Sequence, residues 1–150
     1  MRKFNEVAYN NYDYKCKVAA INFMKKKGFT LIGDIDTEHY KKFDLQFINE
    51  SGKIVKIENE FRGPFNDIKN KYYSVHIPYR KKETECDFYF IWGNEWNDLA
   101  VIKKDILKKY SDNVINQVCA KGKPYEFVEK FIDIPKEKIY FLSVDKIFTE

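Results

Sequence analysis

A mixed α/β or α+β domain is the fold class this sequence predicts, and three observations predict it. Tyr12, Cys16, Ala19, Ala20, Phe23 and Met24 recur at helical spacing near the start of the chain. Two runs, 43–49 and 53–61, alternate apolar with polar residues on either side of Glu50-Ser51-Gly52, the pattern of a half-buried hairpin. The run Phe88-Tyr89-Phe90-Ile91-Trp92 is continuously apolar, as in a strand covered on both faces. Helical and strand periods in one chain make a mixed layer architecture.

Each element has its own justification. Residues 5–27 form an amphipathic helix, ended by Lys25-Lys26-Lys27, which complements the negative end of the helix dipole, and by Gly28 as the residue past the end. Phe29 to Ile32 reads as a strand, and 34–42 as a polar link. The runs 43–49 and 53–61 are the hairpin strands, the second ended by Gly63-Pro64. A helix is predicted over 65–72 and a strand over 73–77 before Pro78. The buried strand takes 86–92. Leu99 to Ile102 is apolar and suits either a hairpin partner or a helix start. A helix is predicted over 113–120, ending near Gly122, and a last, peripheral strand over 139–144.

Composition bounds the function classes. The 150 residues suit a single domain over 1–150, long enough to bury a core without disulfides. Apolar residues make up 44% and aromatics 17%, which excludes an intrinsically disordered chain. No apolar run approaches the roughly 20 residues that span a bilayer, and Met1 to Glu6 lacks the apolar run of a signal peptide. A soluble, cytoplasmic protein with no membrane partner is expected. Cys16, Cys86 and Cys119 are widely spaced, no Cys-x-x-Cys occurs, and His39 and His76 lie far apart, so reduced thiols are expected and not a structural zinc site.

The hairpin carries the chemistry. A three-residue loop with Gly in third place pairs Asn49 with Lys53, Phe47 with Val55, Leu45 with Ile57 and Asp44 with Glu58. This register puts Phe43, Leu45, Phe47, Val55, Ile57 and Phe61 on one face and Asp44, Gln46, Lys56, Glu58, Glu60 and Arg62 on the other; a one-residue slip would mix the two sets. Asp44 and Glu58 become cross-strand neighbours, roughly 5 Å apart at Cβ, with Glu60 two residues along. Like charges facing each other destabilise a ladder, so three carboxylates in one patch make sense around a hard cation such as Mg²⁺. A solvent-facing hairpin neutralised by Lys56 and Arg62 accounts for the same residues.

A helix, a strand, then Phe43-Asp44-Leu45 and Ile57-Glu58-Asn59-Glu60-Phe61 on successive strands, followed by a helix, resembles the PD-(D/E)XK nuclease superfamily over roughly residues 5–103. The resemblance implies a restriction-endonuclease-like mixed central sheet flanked by helices. It also implies that Asp44 and Glu58 are ligands of Mg²⁺ or Mn²⁺ at the end of a split sheet. Phe43 stands in place of the motif Pro. Glu60 falls where the family usually has Lys and some members have Glu; there it would bind a second metal or orient the attacking water. Lys69 and Lys71, on the next predicted helix, are candidates to replace the motif Lys.

The charge distribution fits a polyanion. The net charge is +4, but residues 34–67 carry −3 and the remainder +7. Arg62 and the run Arg80-Lys81-Lys82 are the expected phosphate contacts. His76 reads as structural, Cys16 and Trp92 as core, Trp96 as a sheet-edge filler or a base-stacking ring, and Glu6 as a dipole-complementing acid or an extra acid of the site. The expected function is a Mg²⁺-dependent endonuclease acting on nucleic acid, DNA foremost, with a homodimer expected for double-strand cutting. The alternative is a non-catalytic nucleic-acid-binding or protein-interaction module on the same fold.

Overall fold

The computed structural model describes residues 3–36, 43–62, 73–93, 96 and 98–144, with the backbone alone for 3–11. The architecture is mixed α/β. Helix α1 (Lys3–Lys26) is followed by Gly28, whose φ of +88° lets its N–H reach back to the Lys25 carbonyl at 3.0 Å and close the helix. The strands are β1 (Phe29–Leu31), β2 (Leu45–Asn49), β3 (Ile54–Phe61), β4 (Ser74–Pro78), β5 (Phe88–Trp92), β6 (Asp98–Lys103), β7 (Val114–Cys119), β8 (Phe127–Pro135) and β9 (Tyr140–Ser143). A short helix α2 (Lys104–Lys109) follows β6, and 3₁₀ turns occupy Tyr79–Glu83 and Lys136–Lys138. No described helix is long and apolar enough to cross a membrane.

Six strands form one sheet in the order β1-β2-β3-β5-β6-β9, antiparallel throughout except for β3 beside β5. The other three form a second sheet, β4-β8-β7. Both faces of the large sheet are covered. Helix α1 covers one, with Cys16, Ala19, Ala20 and Met24 against Leu45, Phe47, Val55, Ile57, Phe90 and Trp92. The second sheet covers the other, with Val75, Ile77, Ile132 and Ile134 against Tyr89, Ile91, Ala100 and Ile102. Each large aliphatic or aromatic side chain so buried contributes roughly 1.5–3 kcal/mol relative to exposure.

The hairpin β2–β3 has the register read from the alternation: Leu45 opposite Ile57, Phe47 opposite Val55. Its loop is tied by the Asn49 side chain, whose Oδ1 accepts from the Ser51 N–H at 3.1 Å and the Lys53 N–H at 2.9 Å, and Gly52 takes the left-handed position at φ +85°. Leu99 to Ile102 proves to be part of β6, antiparallel to β5. The last strand, β9, lies at the sheet edge as expected.

One element differs in kind. Within 113–120, expected as a helix, Val114–Cys119 form strand β7. Val114, Ile115, Val118 and Cys119 stand at spacings that suit a helix face, but β8 supplies a six-residue antiparallel partner, from Val114 opposite Ile132 to Cys119 opposite Phe127. Strand β8 itself was not anticipated; its alternation is short, Ile132-Asp133-Ile134, and is preceded by the adjacent charges Glu129 and Lys130. The expected helix over 65–72, with Lys69 and Lys71, lies outside the described residues, as do Gly63-Pro64, His39 and the side chain of Glu6.

Candidate active site

The large sheet splits where β2 begins. The ladder to β3 stops at Leu45 opposite Ile57, and Glu58 to Phe61 continue beside β5 alone. Asp44 stands at this fork. Its own N–H still reaches the Ile57 carbonyl at 2.9 Å, and its Oδ2 accepts the Asn59 N–H at 2.7 Å. The Asp44 carboxylate thus does what β2 backbone would have done one step further along, and is fixed by it.

Glu58 is 5% exposed, a rare state for a carboxylate without a partner. Its partner is the Lys81 ammonium, which hydrogen-bonds and ion-pairs with Oε2. The topology explains the meeting. The chain passes from β3 to its parallel neighbour β5 by way of β4 and the 3₁₀ turn Tyr79–Glu83, and that crossover lies on the sheet face bearing Glu58. Lys81, expected to grip phosphate, is therefore delivered to the acid pair, while Arg80 and Lys82 of the same turn stay at the surface.

The electrostatics tie Asp44, Glu58 and Lys81 into one unit. Loss of hydration pushes the Asp44 carboxyl above its ordinary value, against the pull of the Asn59 N–H and of Lys81. Glu58 is pushed up by burial first and by the Asp44 charge second, and Lys81 pulls it back. From helix α1, the Asp13 charge raises Asp44 and the Lys17 charge lowers it.

A pH dependence follows. The folded chain holds protons on these two carboxyls above their ordinary values of 3.8 and 4.5, where the unfolded chain has released them. Their contribution to stability is full below those values and is lost as pH rises through the raised ones. Urea melts of the metal-free protein between about pH 4 and pH 8 should show this fall, and an Asp44→Asn/Glu58→Gln double variant should flatten it. Equal slopes in the two proteins would place the dependence on other groups.

Glu60 is engaged elsewhere. Its Oε2 pairs with the Arg62 guanidinium, and its Oε1 accepts from the buried Tyr89 hydroxyl at 2.6 Å. Burial, then the Glu60 charge, hold Tyr89 well above its ordinary pKa, so it stays a phenol donor. Arg62 also donates through Nη2 to the His76 carbonyl at 2.6 Å, tying β3 to β4. Among the described residues, no group of three or more His, Cys, Asp and Glu side chains is arranged to hold a metal ion.

The other candidates find plain places. His76 lies 3.0 Å from Gln117 and 3.1 Å from Asp133, bridging β4 to its own sheet. Trp92 is fully buried, and its indole N–H donates to Asn59 Oδ1 at 2.8 Å. Trp96 stacks on Phe61 with ring centroids 4.8 Å apart, and Phe61 stacks on Tyr12 at the same separation. Cys16 is core, its thiol pushed up by burial and the nearby acids. Asn59 and Tyr89 were not singled out from the sequence. Asn59 lies inside the Glu58-Asn59-Glu60 motif, a signal within reach, whereas the Tyr89 contact depends on β5 aligning with β3.

The chain matches no protein-family model, no curated protein and no solved structure.

Proposed function

We propose that this chain is a metal-dependent nuclease on the restriction-endonuclease-like plan, hydrolysing phosphodiester bonds of nucleic acid, DNA foremost. The observation that carries this reading is the Asp44 carboxylate, held on the Asn59 N–H at the fork between β2 and β3 and close enough to raise Glu58, with the Lys81 ammonium on Glu58. The order helix, antiparallel hairpin, crossover and parallel β5 agrees with the plan the resemblance implies.

The donor set fits Mg²⁺ or Mn²⁺. Two carboxylates crowded at a partly buried fork are hard oxygen ligands, and such ions take one or two of them, leaving other positions to water and phosphate. Held by Asp44 and Glu58, such an ion would supply a water of lowered pKa and neutralise phosphate charge. The chain's own groups do the rest. The Asn59 N–H orients Asp44. Lys81 balances Glu58 until a phosphate arrives and then shares its charge with it, taking the part of the motif Lys that Glu60 leaves open. Arg62 and Tyr89 hold Glu60 as a strut between β3, β4 and β5.

The test is turnover of linear DNA and RNA with Mn²⁺, for the wild type and for Asp44→Asn. Metal-dependent cleavage lost in the variant supports the reading. Nucleic-acid binding without metal binding or turnover would favour the non-catalytic module instead.

Lys81→Gln separates chemistry from metal binding. Its turnover should fall on the order of 10²–10³-fold, as for loss of one preorganised donor to a developing charge. Mn²⁺ binding by calorimetry should be kept or tightened, because the cation competing for Glu58 is gone. A variant that binds no metal would make Lys81 a structural counter-ion only.

A further inference from the structure

The hairpin β7–β8 reaches beyond the body of the protein. Strand β8 is buried at Ile132 and Ile134, but no residue from 127 to 130 is buried, and none of β7 is. Four residues of strand extend about 13 Å, so the hairpin is an arm of that reach with a seven-residue tip, 120–126, beyond it. Val128 is 65% exposed, Phe127 50% and Val118 45%. An arm this poorly buried contributes little to the core.

The tip is ordered. The Lys123 N–H bonds the Ala120 carbonyl at 3.0 Å, the Glu126 N–H bonds that of Lys123 at 3.1 Å, and the Glu126 carboxylate accepts the Gly122 N–H at 2.9 Å. Ala120, at φ +55°, accepts a conformation that a residue with a Cβ rarely adopts. The acids of the arm are thus spent: Glu126 on the turn, Glu129 on Arg80 at 3.5 Å. Its cations are not. Among the described residues, neither Lys121 nor Lys123 has an acid partner, and Tyr125 beside them is 68% exposed.

The base of the arm joins the candidate site. Lys130 lies over the Tyr79 ring at 5.8 Å and Lys82 over the same ring at 4.3 Å. Tyr79 opens the turn whose Lys81 reaches Glu58. Cations therefore stand at both ends of the arm, Lys82 and Lys130 at its base beside the turn that carries Lys81, and Lys121 and Lys123 in its tip, with the exposed Tyr125 ring beside them.

We propose that this arm is a binding surface for the phosphate backbone of a nucleic acid, gripping the strand at a distance from the acid pair. The proposal rests on the nuclease reading for what happens at Asp44 and Glu58, but not for the binding itself. A row of lysines offers the sequence-independent attraction that phosphates supply, and an exposed tyrosine adds a stacking platform tolerant of any base. A tip already closed by its own hydrogen bonds has less freedom to lose on binding. Substrates too short to reach the arm should accordingly be poor ones.

The test uses the full 150-residue chain in EDTA, so that cleavage plays no part. Anisotropy of a fluorescent strand of about 30 nucleotides, alone and as a duplex, is measured over a salt series. The variants are Lys121→Ala/Lys123→Ala/Tyr125→Ala and, separately, Lys82→Ala/Lys130→Ala, all at surface positions. Each should weaken binding about tenfold or more, and each should flatten the salt slope by between one and two, as for two lost phosphate contacts. Variants binding like the wild type, or a wild type binding neither probe, would overturn the proposal. So would a wild-type dimer in sedimentation that the tip variant dissociates, which would give the arm to a second copy of the chain. Arm-dependent binding with no turnover that depends on Asp44 would leave the arm standing and remove the nuclease reading alone.

Discussion

Asp44→Asn should lower metal-dependent cleavage by at least about 10³-fold, the rate equivalent of several kcal/mol of charge stabilisation, while leaving the fold intact. The substitution keeps the volume and an oxygen to accept the Asn59 N–H, so the fork between β2 and β3 retains its closing bond. It removes a charge whose burial is unfavourable and which pushes Glu58 up. The metal-free variant should melt at or slightly above the wild-type temperature near neutral pH. Mn²⁺ should raise the melting temperature of the wild type and leave the variant unmoved. A metal that stabilises both proteins equally would show that Asp44 is no ligand. Glu58→Gln should behave alike in turnover, with a smaller stability gain because it also weakens the pairing to Lys81.

Trp92→Ala is expected to be the most destabilising single substitution in the vicinity of the site, by about 3–5 kcal/mol, the usual cost of removing a large ring from a packed interior. Trp92 is 0% exposed, packs edge-on against Phe23 and Phe90, and is the register partner of Phe61 across β3 and β5. Its loss does more than open a cavity. The indole N–H is the donor to Asn59 Oδ1, and the Asn59 Nδ2 atom is already buried without a partner, so the truncated protein leaves the whole amide unsatisfied. Asn59 also presents the N–H that orients Asp44. Trp92→Phe keeps most of the volume and isolates the hydrogen bond, at about 1–3 kcal/mol. Urea melts read both, and a Phe variant as stable as the wild type would make the indole N–H irrelevant to the core.

Much of this site was legible because it rests on short-range rules. Alternation over 43–61 and one glycine in the third loop position set which side chains share a face, since a slip of one residue would bury charges. That alone sets Asp44 and Glu58 on one face at the open end of the hairpin. Helix α1 was legible from the spacing of Cys16, Ala19, Ala20 and Met24, and β5 from five apolar residues in a row. The choice of cation beside Glu58 was not. Lys56 and Arg62 were nearer in sequence, yet among the described residues it is Lys81 that makes the contact, 23 residues away.

What the sequence alone determined is therefore the hairpin, its register and the two acids at its open end, all set by local periodicity and turn chemistry. The tertiary structure decided what surrounds them. A parallel pairing of β3 with β5 requires a crossover; the route of that crossover carried Lys81 onto Glu58, and the pairing set Tyr89 opposite Glu58 with its hydroxyl on Glu60. It also decided that Val114–Cys119 is a strand, because that segment's apolar spacing suits either state and only the hydrogen bonds of a distant partner, Phe127–Pro135, make one of them lower in energy.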